Sequence, residues 1–214
     1  MKKLKWYTTG NSKFEIEYTY EMDGGGTTFG TEYADVIKSR YPNKQFNLAY
    51  EWCSGPAFIG FDLLDHKISK SLLCTDIYYP AIECVRNSAK ANQLLNVQAL
   101  LLEDLALLPG DIKFDLVVGN PPHFGSSIHD ESHRNRIVLD KDWKIHRNFF
   151  NNIKSHLTAD AVILIQENFA GSTPDTFEKM IDEAGLKINE WFKSKDFFNS
   201  ARGNFIYYIE LSVK

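Results

Sequence analysis

The stretch Phe114-Asp115-Leu116-Val117-Val118-Gly119-Asn120-Pro121-Pro122-His123-Phe124 limits what this chain can fold into more than any other. Phe114 to Val118 is an apolar run that reads as a buried strand, and the paired prolines end it. Two consecutive prolines remove two backbone donors and fix two φ angles, so neither strand nor helix continues through them. The residue before each proline is driven into an extended conformation. Asn120 is thereby held at the carboxyl edge of a strand, where open α/β sheets place their ligand crevices. Its amide offers one acceptor oxygen and an NH2 donor. The Pro121 carbonyl adds a second fixed acceptor, and Pro122, His123 and Phe124 complete the stretch, the last two with flat rings. Such a set can grip an NH2 group attached to a planar system.

Around this stretch, short apolar runs alternate with helical patterns. Strands are predicted over 46–51, 71–76, 97–102, 114–118 and 161–165, and helices over 58–64, 81–95, 143–153 and 173–185. Ala161-Val162-Ile163-Leu164-Ile165 is a continuous apolar run, as expected of a parallel strand covered on both faces. Residues 157–160 read as the turn before it. Thr173 is placed to cap the last helix, with Pro174 in its first turn and Gly185 closing it. Two strands, 186–192 and 204–213, end the chain with no helix between them. Alternating βα units followed by a hairpin define an α/β chain with a mostly parallel, doubly wound sheet.

Residues 1–45 stand apart from this alternation. Phe14, Ile16, Tyr18 and Tyr20 alternate with polar residues as in a half-buried strand. Asp23-Gly24-Gly25-Gly26 breaks the pattern, and a helix follows over 31–40, with Thr31 in the capping position. The expected division is an N-terminal extension, 1–45, and a main domain, 46–214.

Three acids close three successive strands. Glu51 is followed by Trp52-Cys53-Ser54-Gly55-Pro56-Ala57, a glycine-containing turn that opens a helix, where free N–H groups point at a ligand. Asp76 lies 25 positions further on. There it can accept both hydroxyls of a ribose or cap the helix that follows, with Ile77 or Tyr78 beside it to pack on a base. Glu103-Asp104 follows the third strand.

Asn-Pro-Pro followed by an aromatic ring, after an Asp-apolar strand, resembles the fourth motif of class I S-adenosylmethionine-dependent methyltransferases acting on planar nitrogens. That group includes adenine and guanine amino-methyltransferases and protein glutamine methyltransferases. The fourth residue of their motif is usually Tyr, Phe or Trp; here it is His123, with Phe124 next, giving an Asn-Pro-Pro-His (NPPH) motif. The first motif departs too: Cys53, Gly55 and Ala57 stand where the family usually has three glycines. The resemblance covers about residues 46–213. It implies a Rossmann-like, seven-stranded sheet with a C-terminal antiparallel hairpin, and S-adenosylmethionine as cofactor. It implies a cofactor site of Glu51, Cys53, Gly55, Asp76, Ile77, Glu103, Asp104 and Asn120. Phe29, within Thr28-Phe29-Gly30, is similar to the aromatic segment that lies over that site. Asn120, Pro121, Pro122, His123 and Phe124 are the implied catalytic stretch.

Composition narrows the acceptor. A net charge of −4 is not the footprint of autonomous nucleic-acid binding. A DNA enzyme would also need a recognition module and base extrusion, so DNA is not expected as a target without a partner. A protein glutamine, a structured RNA or a small planar amine remain, with Lys2, Lys3, Lys5, Arg134, Arg136 and Lys141 available as a local basic surface. No apolar run spans a membrane. Cys53, Cys74 and Cys84 lack metal-pair spacing and read as thiols of a reducing cytoplasm. The polar loop 125–142 reads as a substrate lid; His129 and His133 share a helical spacing, but no metal site is expected. The alternative is a non-catalytic protein of the same fold that binds a partner.

Overall fold

The computed structural model describes residues 2–126, 137–195 and 205–214. Nine strands are present among them: β1 Leu4–Tyr7, β2 Glu15–Tyr18, β3 Phe46–Trp52, β4 Ser69–Asp76, β5 Val97–Leu101, β6 Phe114–Gly119, β7 Leu157–Asn168, β8 Leu186–Lys193 and β9 Ile206–Val213. The helices are α1 Gly26–Phe29, α2 Glu32–Arg40, α3 Phe58–Asp65, α4 Tyr79–Ala91, α5 Lys144–Ile153 and α6 Pro174–Glu183. Strands β1 and β2 form a two-stranded antiparallel sheet. The other seven form one sheet in the order β5-β4-β3-β6-β7-β9-β8. Pairings β3/β4 and β4/β5 are parallel, whereas β9 runs antiparallel to both β7 and β8. The seven-stranded sheet with its terminal antiparallel hairpin is the Rossmann-like architecture expected.

The chain forms two compact units: residues up to Glu103 with Val118–Asn120, and Asp104–Val117 with residues from Pro121 onward. In the first, Ala49, Tyr50, Leu72, Leu73 and Cys74 are buried on the parallel strands, and Phe58, Phe61 and Leu63 are buried on α3. The β1/β2 segment is tied down by polar contacts: Thr9 N donates to Asp62 at 2.6 Å and Glu15 N to Asn92 at 2.9 Å. In the second unit, β7 and β9 are buried from Ala161 to Ile165 and Ile206 to Leu211. Helix α5 buries His146, Phe149, Phe150 and Ile153, the face its periodicity predicts. Helix α6 begins with the expected cap: Thr173 and Thr176 form a reciprocal capping box, with Pro174 in the first turn.

Four local expectations are corrected. Residues 157–160 are the first part of the twelve-residue β7, not a turn. Strand β2 stops at Tyr18, and Tyr20 enters a short 3-10 turn. Helix α4 ends at Ala91, not at Leu95. Thr31 does not cap α2, because its hydroxyl donates to the Thr28 carbonyl at 2.9 Å. Of the loop 125–142 read as a lid, residues 127–136, with His129, His133, Arg134 and Arg136, lie outside the described ones; at its ends Asp142 N donates to the Gly125 carbonyl at 2.9 Å and Lys141–Trp143 form a 3-10 turn.

No helix among the described residues is long and apolar enough to cross a membrane. Cys74 and Cys84 are buried, Cys53 is half-buried, and none of the three is in a disulfide.

Candidate active site

The turn after β3 keeps the geometry that glycines usually supply. Cys53, Gly55 and Ala57 all have left-handed backbone, with φ of 51°, 51° and 64°. Cβ crowding makes this conformation cost an L-residue roughly 1–2 kcal/mol. The turn is fastened to the next strand: Gly55 N donates to Asp76 Oδ2 at 2.7 Å.

Glu51 is not an exposed strand-end acid. It is 2% exposed, and Gly60 N, in the first turn of α3, donates to its Oε2 at 2.7 Å. Burial pushes its carboxyl up to about 8, against the pull of the Gly60 and Ile59 amides. Among the described residues, no ion pair joins it to a Lys, Arg or His. Asp76 is half-buried and takes a second backbone bond, from Tyr78 N to Oδ1 at 2.8 Å. Burial raises its carboxyl, with the Tyr78 and Gly55 amides opposing. Ile77, next to it, is 66% exposed, whereas Tyr78 packs on Met22, Ala81 and Cys84. Ile77 is therefore the apolar side chain left free beside Asp76. Glu103 is exposed.

Asn120 belongs to the same unit, at the end of β6. Its Nδ2 donates to the Gly24 carbonyl at 3.4 Å, and Tyr33 Oη donates to the Gly119 carbonyl at 2.6 Å. The pre-strand segment 24–33 thus lies directly on the motif. The Asn120 Oδ1 is buried and accepts no hydrogen bond among the described residues. Buried polar atoms without a partner are rare and call for an explanation. Phe29 is half-buried on α1, over Gly25.

The second unit holds the other sequence-predicted residues. Asp104 caps the 3-10 turn 105–107: its Oδ1 accepts from Ala106 N at 2.9 Å and from Asn148 Nδ2 at 2.8 Å. These bonds hold its carboxyl below the usual range. Pro121, Pro122 and His123 are buried and Phe124 is half-buried. Phe124 is bridged to Leu139, with its N–H on the Val138 carbonyl at 3.0 Å. Gly171 is required here, since a Cβ on it would collide with the His123 carbonyl oxygen.

His123 is anchored by a buried chain of polar groups that the sequence did not announce. Its Nδ1 meets Glu167 Oε2 at 3.2 Å. Glu167 Oε1 meets His146 Nε2 at 2.8 Å, and His146 Nδ1 meets Asp140 Oδ2 at 2.7 Å. Ser172 Oγ donates to Glu167 Oε2 at 3.2 Å and lies 3.0 Å from Tyr207 Oη. Glu167, His146 and Asp140 are fully buried. Burial disfavours a charged His146, but Glu167 and Asp140 outweigh it and lift the imidazole to about 9. Burial likewise opposes ionisation of Glu167, and the charge of His146 and its bonds to both histidines overcome it, so its carboxyl sits below the usual range. The signals were present but weak: His146 lies on the apolar face of α5, and Gln166-Glu167 directly follows an apolar run.

A family model described as methyltransferase small domain matches residues 39–186. A search of curated proteins found no match. Among solved structures, the ribosomal protein L11 methylase of Lactobacillus delbrueckii subsp. bulgaricus superposes with a TM-score of 0.61 at 20% identity, covering 90% of this chain and 82% of its own. A TehB-like S-adenosylmethionine-dependent methyltransferase of Corynebacterium glutamicum gives 0.60 at 18% identity, covering 87% and 89%. A 16S rRNA N2 methyltransferase of T. thermophilus, solved with AdoMet and guanosine, gives 0.67 at 15% identity. That match covers all of this chain but 50% of the T. thermophilus chain.

Proposed function

The chain belongs to the methyltransferase small domain family, whose members use S-adenosylmethionine, and we propose that it methylates a planar, conjugated nitrogen. The observation that carries this reading is the buried Asn120 Oδ1, an acceptor with no donor among the described residues, fixed at the end of β6 by the prolines behind it. An NH2 group of the acceptor molecule would supply the missing donor.

The residues of the first unit fit the cofactor. S-adenosylmethionine carries positive charge, vicinal ribose hydroxyls and a purine. Glu51 is a buried carboxyl without a cationic partner among the described residues, so a positive ligand would relieve the cost of ionising it. Asp76, with two backbone bonds already fixing its orientation, retains lone pairs for hydroxyl donors. Ile77 offers an apolar face beside it. When bound, the cofactor supplies an activated methyl group, and the protein's part is orientation.

The Asn120 amide oxygen and the Pro121 carbonyl would accept the two hydrogens of the target amine. A conjugated amine holds its lone pair in the π system; two in-plane acceptors favour its release and align the nitrogen for transfer. Phe29 and the segment 24–33 would close over the site. The acceptor would be a protein glutamine, a structured RNA or a small planar amine. The rRNA N2 methyltransferase among the similar structures fits the second class. The test is methyl transfer from labelled S-adenosylmethionine into cell extract, fractionated into protein, RNA and metabolites, with the product's methyl located by mass spectrometry. The expected product carries it on nitrogen; a methyl on oxygen or carbon would overturn the reading.

A further inference from the structure

We propose that a cavity in the second unit seats a nucleotide of an RNA acceptor, with Trp143 against the base and Arg147 on a phosphate. The inference rests on the N-methylation reading above and chooses among the three acceptor classes given there.

The cavity has a volume of about 420 Å³ and is lined by Gly125, Ser126, Asp142, Trp143, Arg147 and Gly171. All six belong to the second unit. It borders the end of the Asn-Pro-Pro-His stretch, since Gly125 is two residues beyond His123 and Gly171 packs against the His123 carbonyl. Gly125 packs as tightly on the indole: a Cβ there would lie 2.5 Å from the Trp143 ring, so glycine is what lets that ring sit where it does. The ring is also fixed from behind. It meets His146 and Phe177 edge to face, at 5.4 and 5.0 Å between centroids. Asp142 and Trp143 both hold left-handed backbone, each at a φ of 56°. Such strain persists only where surrounding contacts impose it, and it clusters at functional sites. Here Asp142 N donates to the Gly125 carbonyl and Trp143 N to the Asp140 carbonyl, both at 2.9 Å. A half-buried, rigid indole is thereby presented to the cavity.

The charges beside it are not explained by helix stability. Lys144 and Arg147 lie in the first turn and a half of α5, whose first turn carries no acid. The first turns of α2 and α6 do carry acids, as the positive end of a helix dipole favours. Lys141, Lys144 and Arg147 are all exposed, while the other face of α5 is buried. Arg147 Nη2 donates to the Asp142 carbonyl at 3.1 Å, and the rest of its planar fork is unused among the described residues. That fork matches a phosphate. Asp142 is the acid of the lining, and its carboxylate only accepts, so the ligand must also bring hydroxyl or N–H donors. A nucleotide has an anion, such donors and a flat ring together, and RNA adds the 2′-hydroxyl. A glutamine side chain offers a neutral amide and no use for three cations. A net charge of −4 gives the chain no general attraction for nucleic acid, so a local cluster of this kind is where an RNA backbone would be met.

The test measures binding of a fluorescent RNA hairpin apart from methyl transfer. Arg147→Ala should weaken the hairpin roughly tenfold and lower the slope of log affinity against log salt by about one. The double variant Lys141→Ala, Lys144→Ala should act in the same direction. Both should bind S-adenosylmethionine like wild type, which excludes misfolding as the cause. The hairpin should quench the tryptophan fluorescence of wild type and much less that of Trp143→Phe. Transfer from labelled S-adenosylmethionine into cell extract should mark RNA, with Arg147→Ala raising KM for that RNA and leaving kcat little changed. Wild-type hairpin affinity in both charge variants, quenching unaltered in Trp143→Phe, or label confined to protein or to metabolites overturns the proposal. The two readings fail separately: Asn120→Ala should bind the hairpin like wild type, and RNA methylated on oxygen or carbon would end the N-methylation reading while hairpin binding still decided the cavity.

Discussion

Glu51→Gln isolates the buried acid of the first motif. The Glu51 carboxyl titrates near 8 in the fold because burial opposes its charge, against about 4.5 for an ordinary glutamate. Between those values the folded chain holds a proton that the unfolded chain has lost. Stability contributed by this group therefore falls as pH rises, by about 1.4 kcal/mol per pH unit where the difference is one full proton. Glutamine keeps the carbonyl that accepts from the Gly60 amide and has nothing to titrate. Wild type and variant should thus be similar near pH 5, and the variant should gain roughly 2–3 kcal/mol on wild type by pH 7.5. Urea unfolding at pH 5.5, 6.5, 7.5 and 8.5 measures the gap. The same proton reports on the cofactor: a positive ligand favours ionised Glu51. Calorimetry at pH 7, in buffers of different ionisation enthalpy, should show close to one proton released as S-adenosylmethionine binds wild type, and close to none for Glu51→Gln. A gap that stays flat from pH 5.5 to 7.5 would refute the reasoning, since Glu51 would then be ionised in the free protein.

Three further outcomes follow from the same structure. Asp76→Ala should weaken S-adenosylmethionine binding on the order of 100-fold by calorimetry, the loss of charge-assisted bonds worth about 1.5–3 kcal/mol each. Cys53→Gly should raise unfolding stability by about 1 kcal/mol in urea, because Cβ crowding at a φ of 51° costs an L-residue roughly 1–2 kcal/mol and the glycine's extra unfolded-chain freedom offsets part of the gain; an unchanged or lower midpoint would contradict this. His146 titrates above its unfolded value, so its stabilisation is complete below about 6.5 and is lost as pH rises through about 9. The stability gap between wild type and His146→Gln should narrow over that range, and a constant gap would contradict a charged His146.

The sequence made the sheet legible because its signals are local. Apolar runs, the Pro121-Pro122 stop and the helixless ending each report on a few residues, and β6, β8 and β9 lie where those signals put them. Boundaries were less legible where tertiary packing overrides composition: Leu157 to Asp160 look like a turn, yet pair into β7. The first-motif turn is a case in the other direction. Cys53 and Ala57 weaken the glycine pattern by letter, while the backbone adopts the left-handed conformation at all three positions. The network behind His123 could not be read in advance. Its members, Asp140, His146, Glu167 and Ser172, come from separate elements, and no periodicity links them. Glu51 was placed correctly at a strand end, but its burial depends on α3 folding back over it.

The N-methylation proposal puts Asn120 on the acceptor and not on the cofactor. Side-by-side measurement of S-adenosylmethionine affinity and single-turnover methyl transfer in Asn120→Ala tests it most directly. The account predicts affinity within a few-fold of wild type and transfer reduced by roughly 100- to 1,000-fold, the loss of a preorganised polar contact at the reacting atom. Transfer at the wild-type rate would contradict it, as would a variant whose only defect is failure to bind the cofactor.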